Sequence, residues 1–506
     1  MKKLLAVLAV AFPIGAQAAL VDDVRNWRAG HEAEIVARLS ELTRLRSVAA
    51  DPEGLTNTAN RLLALLKERG FAAQLLPAAG APPVVFAELK APGAKRTVTF
   101  YAHYDGQPVT PSEWHSEPFT PTMRPGKMES GKGDARGIDM KTAKPPFDPE
   151  WRLFGRAAGD DKSSIAAFLA AFDALKAAGR APSVNIKVVW EGEEERGSAH
   201  LEAVLRGNRA LLASDLWLIG DGPMHQSRTP TLYFGARGSM GLEAVIYGPL
   251  SALHDGHYGN WVPNPAAMAA EFITALRDSE GGIAIPGFSS DVRPLTAAET
   301  QAIAELPPVE AALKQEFGIG RSEGAAGLTA STMRPAINVR GFRAGQVGAQ
   351  AANAIPTEAA VSFDFRLVPG QTPANVRKKV EDYIKAKGWT VVTADPDAAM
   401  RAAHGRIVKL AWGGGYAALR SDMDSPAAKA VIASAGRAAG TKLALLPMMG
   451  GSVPINMFED VFHVPIIGLP IANHDNNQHA ADENLRLANL WAGIEVYAGL
   501  MADLNW

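Results

Sequence analysis

Four stretches of this chain end on side chains that bind metals or move protons. The apolar run 97–102 leads into His103 and Asp105, and the run 184–190 leads into Glu191, Glu193, Glu194 and Glu195. The run 216–220 leads into Asp221, and the run 464–470 leads to His474, Asp475 and His479. In an open α/β sheet, ligands bind beyond the carboxyl ends of the strands. One such ending is unremarkable in any protein; four predict that these side chains converge on one site.

The types and spacings suggest hydrolysis assisted by two metal ions. His103 and Asp105 are two residues apart, so on an extended chain they project to the same side. His103 could then bind a metal through one ring nitrogen while Asp105 accepts a hydrogen bond from the other. Asp160 and Asp161 precede a helical pattern that starts near Ser163; Asp161 or Ser163 would cap it, leaving Asp160 to bridge two divalent ions. Three consecutive glutamates repel one another, and a solvated loop would be the ordinary account, but a metal pair supplies the missing positive charge. Two cations about 3.5–4 Å apart bind a water between them, lower its pKa and polarise a carbonyl. A base must still take the water's proton and pass it to the leaving amine. Glu194 is assigned that role and Glu195 that of a ligand. The expected ligand sets are His103, Asp160 and Asp221 for one ion, and Asp160, Glu195 and His479 for the other. Mixed imidazole and carboxylate donors suit catalytic zinc, with manganese or cobalt also compatible. The chain has no cysteine, which excludes thiolate sites and cysteine nucleophiles, and no Gly-x-Ser-x-Gly elbow points to a serine hydrolase.

The elements that must position these residues alternate. Helical patterns at 22–47 and 56–70 precede strand-like runs at 84–89, 97–102, 184–190 and 216–220, and an amphipathic helix at 163–178 separates the second run from the third. Such alternation predicts an α/β sheet covered by helices on both faces. After Gly238 a β-α-β-β-α-β order appears: strands at 241–247, 336–341, 359–368 and 407–412, helices at 265–277 and 374–387, and a Pro/Gly-rich excursion at 281–329. This is the split, ferredoxin-like α+β arrangement. From Ser425 the first pattern resumes, with a helix at 427–439. The expected organisation is therefore a catalytic domain in two parts, 19–237 and 418–506, interrupted by an inserted unit at 238–417. The Lys-, Gly- and Pro-rich segment 125–149 reads as a surface loop.

A chain of 506 residues needs at least two domains. Its 47% hydrophobic and 21% charged content is ordinary for a globular protein. Met1-Lys2-Lys3, an apolar run to Ile14 and then Gly15-Ala16-Gln17-Ala18 have the order of a bacterial secretory signal cleaved after Ala18. The run is too short to span a bilayer, and a lipid anchor would need a cysteine, so a periplasmic or secreted protein is expected. The formal charge of -2 gives no electrostatic case for nucleic acid or an anionic membrane as partner.

The stretches YAHYDGQP (101–108), EWHSEPF (113–119), GRAAGDDK (155–162), EGEEERGS (191–198), LHDGHYGN (253–260), FRLVPG (365–370), GGSVPI (450–455) and NNQHAADE (476–483) are spread over nearly the whole chain after residue 18. In them the sequence resembles the di-zinc metallopeptidases that include carnosinase, aminoacylase and glutamate carboxypeptidase, and is most similar to the carnosinase-like dipeptidases. The resemblance implies a zinc-aminopeptidase-like catalytic domain with an inserted ferredoxin-like lid that mediates homodimerisation. It implies the same five ligands, His103, Asp160, Glu195, Asp221 and His479, with Asp105 orienting His103 and Glu194 as base. It further implies that His254 on the lid stabilises the tetrahedral intermediate, in some members in the partner's site. Arg366 and Ser452, with backbone amides around Gly450 and Gly451, would hold the substrate's terminal carboxylate. Asp255, Asn260 and Ser163 depart from the family's usual Ser, Gly and Gly at these places, which bears on substrate choice.

The function expected is metal-dependent cleavage of an amide bond in dipeptides or at a carboxy-terminal residue. An N-acyl amino acid deacylase would use the same machinery. A periplasmic binding protein without catalysis would not need the Glu194 base.

Overall fold

The computed structural model describes residues 14–128 and 137–506. Its larger unit is built on an eight-stranded sheet in the order Ala72–Ala78, Ala81–Leu89, Asn185–Glu191, Thr97–His103, Leu216–Ile219, Ile466–Gly468, Thr231–Tyr233 and Ala444–Leu446. The four strands from Asn185–Glu191 to Ile466–Gly468 are mutually parallel. They are short apolar runs buried on both faces, as parallel strands are when helices cover the sheet. Val98, Phe100, Val188 and Leu218 face one core, and Tyr101, Val189, Trp217 and Ile219 face the other. The first core is closed by the helices Lys162–Ala177 and Leu487–Asp503, with Phe168 packed edge-on against Trp190 and Phe100. Register brings the strand ends level: His103 pairs with Glu191, Tyr101 with Ile219, and Ile219 with Gly468. The four runs that end on ligand-type residues therefore end side by side.

The inserted unit carries a five-stranded sheet, Ala336–Arg343, Glu358–Leu367, Gly238–Tyr247, Ile407–Tyr416 and Thr390–Val392, antiparallel except for the last pair. The helices Pro265–Leu276 and Pro373–Ala386 cover one face through Phe272, Val376, Val380 and Ile384. On the opposite face, one row across the strands reads Ala336, Arg366, Ser239 and Tyr416. The excursion at 281–329 contains the short helices Ala297–Ala304 and Glu310–Phe317. The first of them returns to the larger unit, where buried Glu299 pairs with buried Arg420 at 2.9 Å.

Several expectations need correction. The pattern at 22–47 is two helices, Ile14–Gly30 and Glu32–Arg44, broken where Gly30 has little helical preference and the His31 ring stacks on Trp27. The strand Ala72–Ala78 was not expected from AAQLLPA; it is an edge strand, where Pro77 is tolerated. The helix Leu487–Asp503 is apolar almost all round and so shows no amphipathic period. The segment 125–149 is not wholly a surface loop: Phe147 is buried and its N–H donates to Glu32 Oε2 at 2.7 Å. Residues 129–136 of that segment lie outside the described residues, as do residues 1–13 of the expected secretory signal. The helix Ile14–Gly30 runs across the expected cleavage position, and Leu20 and Val24 pack in the main core. No helix among the described residues is long and apolar enough to cross a membrane.

Gly468 ends one of the four central strands, and a Cβ there would lie 2.0 Å from ring carbons of buried Tyr233. Gly468→Ala is expected to cost about 1–3 kcal/mol of unfolding free energy. Denaturant titration of the two proteins checks this, and a difference below about 0.5 kcal/mol, the usual scatter for harmless substitutions, would contradict it.

Candidate metal centre

Beyond the central strands the acidic run sorts itself by partner. Buried Glu191 accepts from Tyr101 Oη at 2.5 Å and from Ser198 Oγ at 3.0 Å. Glu193 accepts from the backbone and ring of His200. Glu194 and Glu195 start a 3-10 turn, Glu194–Arg196, whose first two N–H groups donate to the Asp105 carboxylate at 3.2 and 3.1 Å. Asp105 thus ties two strand ends together. It also lies beside His103, with its carbonyl 3.2 Å and its carboxylate 3.4 Å from Nδ1.

Asp160 stands at the centre. Its Oδ1 lies 2.9 Å from His103 Nε2, and its Oδ2 lies 3.3 Å from His479 Nε2. His479 Nε2 is also 3.3 Å from Glu195 Oε2, and His103 Nε2 is 4.0 Å from Asp221 Oδ1. Donor atoms of His103, Glu194 and Asp221 all fall within 4.8 Å of one another, and so do those of Asp160, Glu195 and His479. His474 belongs elsewhere: it neighbours Asp475, which is held by Arg152 at 2.8 Å.

The loop that presents Asp160 hangs on Glu483. This buried carboxylate accepts from the N–H groups of Ala157, Gly159 and Asp160 at 2.9–3.0 Å and pairs with Arg156 at 2.8 Å. Gln478 donates to Asp160 Oδ2 at 2.6 Å, and Gln107 donates to Glu195 Oε2 at 2.7 Å. Glu483, Gln478 and Gln107 were not singled out from the sequence, although each lies inside a quoted motif; their amide and carboxylate types signal no chemistry of their own. The expected helix cap is different: Asp161 makes no capping bond, because its carboxylate takes the Ser164 hydroxyl and faces the His103 N–H, and Ser163 Oγ donates back to the Gly159 carbonyl.

Charge decides what this arrangement can hold. Four carboxylates and two imidazoles converge, and all but His479 are largely buried. Burial, then Asp160, pushes Glu195 up to about 8 and Asp221 up to about 6. Burial and then Asp221 hold Glu194 well above the usual carboxylate range. Burial opposes the charge of His103, but its bonds to Asp105 and Asp160 outweigh that and raise it. An excess of negative donors around one bridging carboxylate, all nitrogen or oxygen, fits two divalent cations.

On the lid, Arg366 Nη1 donates to Ser452 Oγ at 2.7 Å and its Nε to Asp364 at 2.6 Å. Gly451, next to Ser452, accepts from the Arg237 N–H. Tyr416 was missed: it shares a hydrogen bond with Ser452, and burial together with nearby Glu194 pushes its phenol up to about 12. Its membership of the Arg366 row depends on strand register, which no motif reveals. Tyr416 thereby links the lid's polar row to the acidic centre. His254 is not brought to that centre. It is exposed, on the two-residue strand Leu253–His254, with His257 as its ring neighbour.

A paired acidic centre at the carboxyl edge of a parallel sheet, with an antiparallel unit inserted beside it, defines a metallohydrolase with two metal sites. Residues 139–503 match Peptidase family M20/M25/M40, and the chain belongs to that family. It is thus a metallopeptidase of dinuclear type. It is 24% identical over 493 residues to the Cys-Gly metallodipeptidase dug1 of Schizosaccharomyces pombe, covering 93% of this chain and 95% of that protein. It is 26% identical over 481 residues to the Beta-Ala-His dipeptidase of Homo sapiens, covering 92% and 85%. Among solved structures, the M20 family metallo-carboxypeptidase Sso-CP2 from Sulfolobus solfataricus superposes with a TM-score of 0.73 at 27% identity, covering 93% of this chain and 99% of that one.

Without metal, the folded protein keeps protons on Glu195 and Asp221 up to about pH 8 and about pH 6, where an unfolded chain has released them. Stability must then fall as pH rises through that window, and raised His103 acts in the same direction. Metal-stripped protein is expected to melt lower at about pH 8 than at about pH 5.5, and saturating divalent ion to remove the fall. A metal-free melting temperature that rises over this interval would contradict the charge balance described.

Proposed function

We propose that the protein is a dipeptidase that uses two zinc ions, His103, Asp160 and Asp221 holding one and Asp160, Glu195 and His479 the other. The observation that carries this is the Asp160 carboxylate, with one oxygen facing each imidazole. When bound, the two ions supply the Lewis acidity that polarises the scissile carbonyl and lowers the pKa of a water molecule. Glu194 is the base. Its buried carboxylate, held above the usual range, takes a proton from the attacking water and delivers it to the amide nitrogen as the C–N bond breaks. Arg366 and Ser452, already hydrogen bonded to each other, hold the substrate's terminal carboxylate with the Gly451 amide, and Tyr416 closes the space between them and Glu194. The names of the fungal and human relatives favour a dipeptide over an N-acyl amino acid. Mixed imidazole and carboxylate donors support zinc, and metal analysis of the purified protein distinguishes it from manganese or cobalt.

Two further parts belong to this reading. The protein is a homodimer through the lid, in which His254 serves the partner's centre. Exposed Val339 and Phe342 on the edge strand Ala336–Arg343, and exposed His254 remote from its own acidic centre, support it. The protein is also exported, a reading that the Met1–Ala18 pattern supports.

Glu194→Gln is expected to keep its metal content and lose about 10²–10⁴-fold in kcat on a dipeptide. His254→Ala is expected to be impaired as well, and mixing the two variants to restore activity through hybrid dimers. Undiminished turnover by Glu194→Gln would overturn the mechanism, and a failure of complementation with monomeric mass in solution would overturn the shared site. Fractionation of the native host with amino-terminal sequencing is expected to find a mature chain starting at Ala19 outside the cytoplasm; an intact Met1 terminus inside it would refute export.

A further inference from the structure

The strand Ile407–Tyr416 carries one residue more than its neighbour Gly238–Tyr247, because Trp412 pairs with Leu242 but Gly415 pairs with Met240. Such a bulge turns every later side chain to the other face of the sheet. Trp412 and Leu242 pack in the helix-covered core, and in an unbroken strand Tyr416, four residues on, would point the same way. The extra residue instead sets Tyr416 opposite Ser239, in the open row that holds Arg366. Glycine permits this, since a Cβ on Gly415 would lie 2.6 Å from Met240 Cβ.

The row ends where the lid joins the loops of the acidic centre. Ala236, three residues before Ser239, bridges Met449, three residues before Ser452. A Cβ on Gly222, next to Asp221, would stand 2.7 Å from Met449 Sδ. Tyr416 is hydrogen bonded to Ser452, and burial together with nearby Glu194 keeps its phenol protonated. Tyr416, Ser452 and Arg366 all keep accessible surface. A substrate whose terminal carboxylate is held by Arg366 and Ser452, and whose amide carbon is attacked beside Glu194, lays its scissile nitrogen along this span.

An amide N–H taken out of water there needs an acceptor. Arg366 and the Gly451 amide only donate. Ser452 Oγ already receives Arg366 Nη1 at 2.7 Å, and Asp364 is taken by Arg366 Nε at 2.6 Å and Ser239 Oγ at 3.3 Å. Glu194 is committed to the proton of the attacking water. A phenolic oxygen bonded to one serine still has a lone pair to offer. We propose that Tyr416 is a further catalytic residue, whose oxygen accepts the N–H of the scissile amide. This rests on the dipeptidase reading, in which Arg366 and Ser452 take the terminal carboxylate. With its N–H held by Tyr416, the nitrogen turns its lone pair to Glu194, which delivers the proton as the C–N bond breaks. Once protonated, the nitrogen is a cationic and therefore stronger donor, so the bond tightens along the reaction and acts on kcat. The site then favours peptides with a hydrogen on the scissile nitrogen and disfavours a carboxy-terminal proline, which has none.

The test compares Ala-Gly with its ester analogue alanyl-glycolate, in which oxygen replaces the scissile N–H, on metal-loaded wild type, Tyr416→Phe and Arg366→Lys. Tyr416→Phe is expected to lower kcat on Ala-Gly by about 3–10-fold, the range of one neutral hydrogen bond, and on the ester by less than about 1.5-fold, with KM little changed. Arg366→Lys, whose carboxylate partner both compounds carry, is expected to raise KM for both alike. Unfolding curves and metal content establish that each variant is folded and loaded. A loss confined to the amide supports the assignment. Equal losses on amide and ester, or undiminished cleavage of Ala-Gly by folded, metal-loaded Tyr416→Phe, overturn it and leave the dipeptidase reading standing. A wild type that cleaves neither compound overturns both.

Discussion

Buried negative charge is the constraint around which the larger unit is arranged. Asp160, Glu194, Glu195 and Asp221 meet in a space that water hardly reaches, with two imidazoles as local compensation. Left without cations, such a cluster protonates, as the raised Glu195 and Asp221 carboxyls show. The surrounding structure prevents the alternative, which is dispersal. Strand register sets level the ends of the strands that lead to His103, Glu194 and Asp221, the Glu194 and Glu195 amides are clamped to Asp105, and Asp160 is fixed by Glu483 and Gln478. Positions are thereby imposed on groups that would separate if free.

The surrounding hydrogen bonds follow one rule. Each acid of the 191–195 stretch that does not face the centre has a neutralising or donating partner of its own: Tyr101 and Ser198 for Glu191, His200 for Glu193. Of the carboxylates that face it, Glu195 accepts from the Gln107 amide and Asp160 from that of Gln478, which orient an oxygen without cancelling its charge. A lysine in place of either glutamine would supply the cation internally and compete with metal. The choice of a carboxamide is thus part of the site's affinity for a divalent ion.

Much of this was legible in the sequence because it is local. A strand that runs into His103 or Asp221 carries its own evidence, and parallel strands buried on both faces read as apolar runs. The β-α-β-β-α-β order of the insertion could likewise be read from period changes. What escaped depends on distant partners. The edge strand Ala72–Ala78 is defined by pairing rather than composition. The helix Leu487–Asp503 is wrapped on all sides and so lacks an amphipathic stripe. Tyr416 is an ordinary residue until register places it in the row of Arg366. His479 could be preferred to His474 only from its motif, since both follow the same strand; the contact of His479 with Asp160 at 3.3 Å separates them.

Glu483 has a consequence in time as well as in space. The loop 155–160 is folded around a carboxylate more than 320 residues later in the chain, with the entire insertion between them. During synthesis the first ligands are complete long before their anchor leaves the ribosome, and such a long-range closure is slow and comes late. The nascent amino-terminal part therefore holds several acidic ligands with no defined cage, and capture of cations in the right number and place must await the last segment of the catalytic domain. Metal loading is then a report that both halves have found each other, and a chain cut short just after Glu483 differs in kind from one cut short before it.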